Sequence, residues 1–156
     1  MEIDFRLTGN CKLLSNLYPH KFIFRGVETH GIEPLLVAAK FPDPEEQLHI
    51  IANLQSFDAM FYGKKQNWQD DQTLYWMGEG MNRHSLEYTE FVCEMYHDLY
   101  DQNMEAREAL VSTGNEVLKH SIGGTDPHWT VLTRNAFCHI LTDIRAYYRS
   151  QSYVEY

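Results

Sequence analysis

The chain is short of the features that mark membrane proteins, disulfide-stabilised proteins and common metal sites. Its longest uncharged apolar run is Leu35-Leu36-Val37-Ala38-Ala39, whereas a membrane-spanning helix needs about 20 such residues. Its three cysteines form no CxxC pair and are too scattered to indicate a disulfide framework or a zinc knuckle. The eight histidines show no HExxH-type spacing. We therefore expect no membrane span, no metal site and no cofactor.

Basic residues are also scarce. The chain carries 13 Lys and Arg against 22 Asp and Glu, a formal net charge of −9. Broad binding to duplex nucleic acid needs many clustered cations that displace the counterions of the phosphates, so this composition argues against it. A small anionic ligand stays open, because a basic pair such as Lys64-Lys65 or Lys119-His120 is enough for one phosphate.

Linkers and repeats are absent as well. No Gly-, Ser- or Pro-rich stretch divides the 156 residues, and 44% of them are apolar, which favours one domain over residues 1–156 with a single core. The start, Met1-Glu2-Ile3-Asp4, carries acid where a signal peptide carries base. We therefore expect a cytoplasmic protein.

Apolar periodicity predicts a mostly helical α+β domain with a small N-terminal β-hairpin or sheet. The predicted strands are Glu2 to Leu7, a hairpin from Lys21 to Thr29 and a return at Val117-Leu118. Six helices are predicted. Two have both ends marked, Gly31 to about Phe41 and Ser56 to Gly63, and two are marked by a cap, one starting at a capping box at Asp43 and one running from Asn103 towards Gly114. The other two are marked by apolar stripes, from Phe91 to Leu99 and from Phe137 to Ile144. The segment from Asn67 to Gly80 is predicted to be irregular.

An acid and an amine are the first residues that suggest chemistry. Glu33 and Lys40 lie seven apart in a helical pattern, which is nearly two turns, so both side chains project from one face about 10 Å apart along the axis. The leucines between them supply part of the buried face. An acid and an amine can then converge on one ligand.

Several motifs accompany this pair in a fixed order. They are Ser15-Asn16, Gly26, Glu33 to Phe41, Ala59 to Lys64, Leu110 to Gly114, Asp126 to Trp129, and Asn135 to Arg145. Their order and spacing resemble the NADAR/YbiA-like family of N-glycosidases over most of the chain. The resemblance implies hydrolysis of a bond between ribose and nitrogen by a YbiA-like fold.

The same resemblance implies which residues form the site. The implied catalytic residues are Glu33, Lys40 and Asp126, and the implied substrate-binding residues are Ser15, Asn16, Gly63, Lys64, Trp129 and Asn135. Two substrate classes follow: ADP-ribose attached to guanine, free or in nucleic acid, and the phosphorylated ribosylaminopyrimidines of riboflavin synthesis. We expect no metal to take part in either reaction, and the sequence does not indicate an oligomeric state.

The sequence also departs from the family pattern. Pro34 and Val37 stand where the family often has a His and a Gln, and Lys119 stands where an acid is expected. The missing His and Gln, together with the aromatic segment Leu74-Tyr75-Trp76, favour ADP-ribosylated guanine over the metabolic substrate. The departures at Pro34 and Lys119 motivate an alternative, a catalytically silent module that binds ADP-ribose or a related nucleotide. An interaction inhibitor acting through an acidic surface is a third reading.

The chemistry of C–N cleavage explains these residue types. Cleavage builds positive charge on the ribose, so a carboxylate such as Glu33 or Asp126 stabilises the transition state or activates water. Lys40 either gives a proton to the departing base or attacks a ring-opened sugar as a Schiff-base nucleophile. Trp129 can stack on a base, while Asn16 and Asn135 can bond hydroxyls or phosphate. Arg145 is expected to be structural.

Overall fold

The computed structural model describes residues 1–151, and most of its regular structure is helical. The helices are α1 (Asn10–Leu13), α2 (Ile32–Ala38), α3 (Pro44–Asn53), α4 (Ser56–Gly63), α5 (Leu86–Gln102), α6 (Met104–Val111) and α7 (Arg134–Gln151). The strands are β1 (Phe22–Phe24), β2 (Val27–Thr29), β3 (Thr73–Trp76) and β4 (Glu79–Asn82). The predicted α+β class is confirmed. Within residues 1–151 no helix is long and apolar enough to cross a membrane.

Side-chain caps set where several helices begin. Asp43 accepts a hydrogen bond from the backbone N–H of Glu45, and Pro44 occupies the first helical position, as predicted for α3. Asn103 caps α6 in the same way by accepting from Ala106 N, again as predicted. Helix α4 has the bounds expected from the sequence.

Helix α2 is the centre of the core. It packs against α3, α4 and α5, and six of its seven residues are buried. Glu33 is the half-buried exception, and Lys40, just past the C-cap residue Ala39, is half-buried as well. Because everything else along this segment is enclosed, the two charged side chains lie where the core opens to a cavity.

A second hairpin overturns the prediction that Asn67 to Gly80 is irregular. Strands β3 and β4 pair antiparallel, with Trp76 opposite Glu79. The turn between them holds Met77 at φ 49° and Gly78 at φ 87°, the left-handed geometry of a tight hairpin turn. Methionine is an uncommon residue there, so the usual turn signal is missing from the sequence.

The second hairpin is fastened to the end of α2. The Tyr75 backbone N–H donates to the Ala39 carbonyl at 2.7 Å. The buried Gln47 side chain donates to the carbonyls of Ala38 and Tyr75, both at 2.9 Å, and accepts from Met77 N at 2.7 Å. These bonds hold the backbone immediately before Lys40.

The first hairpin is confirmed, but the two other predicted strands are wrong. In their place the structure has one isolated parallel bridge, between Glu2 and Lys119, the residue after Leu118. Ile3 N donates to Lys119 O at 2.7 Å, and Lys119 N donates to Met1 O at 2.9 Å. The bridge brings the segment after Lys119 against the N-terminal residues.

Candidate functional site

A cavity of about 310 Å³ opens beside α2. Helix α2 and its end supply Glu33, Leu36 and Lys40, and α4 supplies Met60. The remaining lining residues are Asn16, Trp68, Gln69, His120, Gly123, Gly124, the run from Trp129 to Arg134, and Phe137. Four residues predicted for the site, Asn16, Glu33, Lys40 and Trp129, are therefore brought together.

The carboxylate of Glu33 lies in a poorly solvated position. Within residues 1–151 its side chain makes no hydrogen bond and no ion pair, apart from a longer-range attraction to Lys40. Burial raises the pKa of Glu33 from 4.5 to about 7, and the attraction to the Lys40 ammonium partly opposes this rise. At neutral pH both protonation states are then populated, as general acid–base chemistry requires.

The amine of Lys40 shifts in the complementary direction. Burial lowers the pKa of Lys40, and the neighbouring Glu33 carboxylate opposes that change. Gly63 leaves the space that this side chain occupies, because a Cβ at Gly63 would lie 3.2 Å from Lys40 Nζ and 3.2 Å from Val37 Cγ1. Gly63 is buried and bears on the site by admitting Lys40.

Asn16 is held by a tyrosine that the sequence does not single out. The hydroxyl of Tyr96 donates to Asn16 Oδ1 at 2.6 Å, and Tyr96 is fully buried on α5. Because Oδ1 is engaged as the acceptor, the Asn16 amide NH₂ is the group left to donate to a ligand. Ser15, beside it, accepts from Leu17 N at 3.2 Å and shapes this turn outside the cavity lining.

Two tryptophans lie on the cavity wall in different states of burial. Trp68 is 3% exposed and Trp129 is 65% exposed. The loop carrying Trp129 is tied to the 3₁₀ turn Trp68–Asp70 and the residues that follow, since Gln72 Nε2 donates to His128 O at 3.0 Å and Gln69 Nε2 to Trp129 O at 3.4 Å. An exposed ring on an anchored loop is available for stacking.

Other predicted site residues lie outside this cavity. Asp126 is exposed, and its carboxylate accepts from His128 N at 2.9 Å, so it organises the turn before Trp129. Lys64 is exposed, with Nζ 4.9 Å from the centre of the Phe61 ring. Asn135 is exposed and lines a neighbouring cavity.

Two further lining residues, His120 and Arg134, were missed as site residues. His120 Nδ1 lies 2.9 Å from the Ile3 carbonyl, and because a carbonyl only accepts, Nδ1 carries the proton. In the neutral ring Nε2 is then an acceptor. Arg134 Nη1 donates to Ser121 O at 3.0 Å. The basic pair Lys119-His120 is visible in the sequence, but the positions of His120 and Arg134 in the cavity lining depend on contacts between distant segments.

The other residues singled out by the sequence have structural surroundings. The segment Leu74-Tyr75-Trp76 belongs to the second hairpin and lies outside the cavity lining. The ring of Trp76 packs edge-on to that of Phe24, with the ring centres 5.2 Å apart. The expectation that Arg145 is structural is confirmed, because it is buried and donates to Thr113 Oγ1 and Glu116 O, both at 2.8 Å. Lys119 is exposed outside the cavity.

Metal donors do not assemble in the described part of the chain. Among residues 1–151 no group of three or more His, Cys, Asp or Glu side chains is placed to hold a metal ion. The groups that line the cavity are a carboxyl group, an amine, an imidazole, a guanidinium, hydroxyls, amides and aromatic rings.

Comparison with known proteins places the chain in a family. The model of the bacteriophage protein GP30.3 family matches residues 9–146. The chain belongs to the GP30.3 family. An uncharacterised 17.1 kDa protein from the Gp30-rIII intergenic region of Enterobacteria phage T4 is 32% identical over 147 residues, which covers 93% of this GP30.3-family chain and 96% of that protein.

The fold of this GP30.3-family member has a solved counterpart. The NMR structure of the Escherichia coli protein YbiA aligns with a TM-score of 0.65 at 13% identity, covering 94% of this chain and 84% of that one. The resemblance to the NADAR/YbiA-like family stated from the sequence motifs is thus confirmed at the level of the fold.

Proposed function

We propose that this chain is an N-glycosidase that hydrolyses the bond between the anomeric carbon of a ribose and a nitrogen. The observation that carries the proposal is that Glu33 and Lys40 line one cavity with their pKa values shifted towards neutrality. Such shifts are typical of groups that exchange protons during a reaction. The YbiA-like fold and the motif resemblance favour the same reaction class.

Water is the second reactant in the proposed reaction. Its oxygen bonds to the anomeric carbon while the C–N bond breaks, and the water proton passes to the Glu33 carboxylate. The departing nitrogen takes a proton from the Lys40 ammonium, whose acidity burial increases. Transfer of a proton from Glu33 back to Lys40 restores both groups. The carboxylate also stabilises the positive charge that develops on the ribose.

The proposed substrate is ADP-ribose linked to guanine, free or within nucleic acid. The walls supply the exposed ring of Trp129 for stacking on an aromatic base. The Asn16 amide and Gln69 supply hydrogen bonds. A metabolic ribosylaminopyrimidine phosphate shares the ribose C–N bond and is the comparison substrate.

Incubation with each substrate followed by mass spectrometry tests the proposal. We expect guanine-linked ADP-ribose to yield free ADP-ribose and unmodified guanine at a rate that a chelator leaves unchanged. Turnover of only the ribosylaminopyrimidine phosphate would transfer the function to that substrate. Tight binding of ADP-ribose without turnover of either would make the chain a silent binding module.

A further inference from the structure

A second cavity adjoins the first across a shared wall. Its volume is about 410 Å³, and it is lined by Glu2, Leu118, Lys119, Ser121, Asn135 and Cys138 together with His120 and Arg134. His120 and Arg134 also line the cavity that contains Glu33 and Lys40. The two spaces are therefore neighbours that share these two side chains.

Close backbone packing builds the shared wall. A Cβ at Gly123 would lie 2.7 Å from both Arg134 Cβ and His120 Cδ2, so only glycine lets this loop approach the start of α7. Arg134 N donates to Gly124 O at 2.8 Å, and Arg134 Nη1 donates to Ser121 O at 3.0 Å. The loop and the helix thus hold His120 and Arg134 in place.

Positive charge exceeds negative charge in the second cavity, although the whole chain carries a net charge of −9. Lys119 has no acidic partner within residues 1–151, and Arg134 keeps guanidinium N–H groups beyond the one bonded to Ser121. Glu2 is the carboxylate in the lining, and it accepts hydrogen bonds from Ser121 N at 2.7 Å and from Ser121 Oγ. Those bonds lower the pKa of Glu2 and engage its charge locally.

The volume of the first cavity limits which part of a substrate it can hold. About 310 Å³ is at the low end of the roughly 300–1,000 Å³ typical of ligand pockets, enough for a base and a ribose but small for a dinucleotide. We propose that the second cavity is an anion subsite that binds the phosphate-bearing end of the N-riboside, through Lys119, Arg134 and Asn135. This inference rests on the proposed function for the identity of the whole substrate.

Calorimetric titration with ADP-ribose tests the subsite without requiring turnover. Lys119→Glu should weaken binding by at least about tenfold, because it replaces a charged donor to phosphate with a repelling carboxylate. Lys21→Glu is the matched control, since Lys21 is also an exposed lysine but lies directly before β1, outside the lining of both cavities, and it should change affinity by less than about twofold. Equal effects of the two changes, no effect of either, or no binding to the wild-type protein would each overturn the subsite.

Alkylation of cysteine provides a second measurement on the unmodified chain. Cys138 lines the second cavity, while Cys93 does not; both are half-buried, and burial raises the pKa of both thiols. ADP-ribose should slow alkylation of Cys138 several-fold and leave Cys93 unchanged, and unphosphorylated ribose should protect neither. Unprotected Cys138 at saturating ADP-ribose would contradict the subsite.

The two proposals fail in different ways. If ADP-ribose binds with the expected dependence on Lys119 and protects Cys138 but no substrate is cleaved, the subsite stands and the glycosidase falls. If guanine-linked ADP-ribose is cleaved with an unchanged KM in Lys119→Glu, the glycosidase stands and the subsite falls.

Discussion

At the scale of single residues, Glu33 and Lys40 are proposed to act together in the proton transfers of one reaction, and this predicts how the effects of their substitutions combine. Glu33→Gln and Lys40→Ala should each lower kcat on guanine-linked ADP-ribose by at least about a hundredfold. The double variant should resemble the worse single variant, because groups that act as a unit lose nearly everything with the first deletion. Steady-state kinetics of the three variants measures this.

The matched control for that experiment is Lys64→Ala, which removes a lysine that lies outside the cavity. Its kcat should stay close to the wild-type value. Borohydride added during turnover distinguishes the role of Lys40, since a Schiff-base nucleophile would be trapped as a covalent sugar adduct and a proton donor would not. Wild-type turnover in both Glu33→Gln and Lys40→Ala would show that the two charged side chains have no part in catalysis.

Tyr96 is expected to position Asn16 without touching the substrate. Tyr96→Phe removes the hydroxyl that engages Asn16 Oδ1, so the amide can rotate and present the wrong atom to a ligand. We expect KM to rise several-fold and the free energy of unfolding to fall by about 1 kcal/mol. Tyr100→Phe, one helical turn further along α5 and equally buried, should leave KM unchanged. An equal rise in KM for both variants would indicate general loosening of the core.

Helical spacing indicates Glu33 and Lys40 for the site, whereas Asn16 and Trp129 are indicated by the motif resemblance alone. Glu33 and Lys40 share one helical segment, so their spacing alone puts them on one face. Tyr96 reaches Asn16 across 80 positions, and no periodicity encodes such a pairing. Asp126, which the family resemblance implies as a catalytic carboxylate, lies in a turn where that carboxylate accepts a backbone N–H.

At the scale of elements, the loop from Asp126 to Trp129 is expected to act in binding more than in folding. Trp129→Ala should weaken ADP-ribose binding by about 1–3 kcal/mol, the usual contribution of a stacking aromatic, and leave the melting temperature nearly unchanged because the ring is 65% exposed. Trp68→Ala, which empties a buried position, should instead cost about 3–5 kcal/mol of stability. Calorimetric titration and thermal melting separate the two, and a large fall in melting temperature for Trp129→Ala would make that ring structural.

The turn of the second hairpin offers a prediction about stability alone. Met77 adopts φ 49° before Gly78 at φ 87°, a conformation that Asn-Gly accommodates better than Met-Gly. Met77→Asn should therefore raise the free energy of unfolding by about 0.5 kcal/mol. The substitution keeps the backbone N–H that donates to Gln47. Urea unfolding measures it, with Met104→Asn at the exposed start of α6 as the control. A destabilised Met77→Asn would mean that side-chain packing outweighs the turn geometry.

The same hairpin shows which elements local sequence can predict. Helices α3 and α6 were predicted because Asp43 and Asn103 are strong caps, and α4 because its apolar run stops at Gly63. The second hairpin was missed because its turn lacks the usual residues and its anchor is the distant side chain of Gln47. The strands predicted from Glu2 to Leu7 and at Val117-Leu118 do not form, and one β-bridge stands in their place. Alternation of polar and apolar residues does not by itself supply a strand with a pairing partner.

At the scale of the whole molecule, the net charge of −9 and the burial of Glu33 both make stability depend on pH. A chain with excess negative charge repels itself more strongly as its carboxylates ionise. Glu33 adds a local contribution, because its folded pKa is about 7 against 4.5 for the free side chain. Between these two values the folded state holds the extra proton, so this contribution to stability is fully present below about pH 4.5 and is lost as the pH rises to about 7.

Glu33→Gln isolates that contribution, because a neutral amide removes the titration and keeps the side-chain shape. Relative to wild type, the variant should gain about 3 kcal/mol of stability between pH 4.5 and pH 7.5, since each unit of pKa difference is worth about 1.4 kcal/mol. Urea unfolding at both pH values gives this difference. Glu90→Gln removes the same charge from an exposed position on α5, so it corrects for surface repulsion and should show a much smaller change. If the two variants have the same pH dependence, Glu33 ionises as a surface carboxylate does, and its proposed role in proton exchange at neutral pH would have no basis.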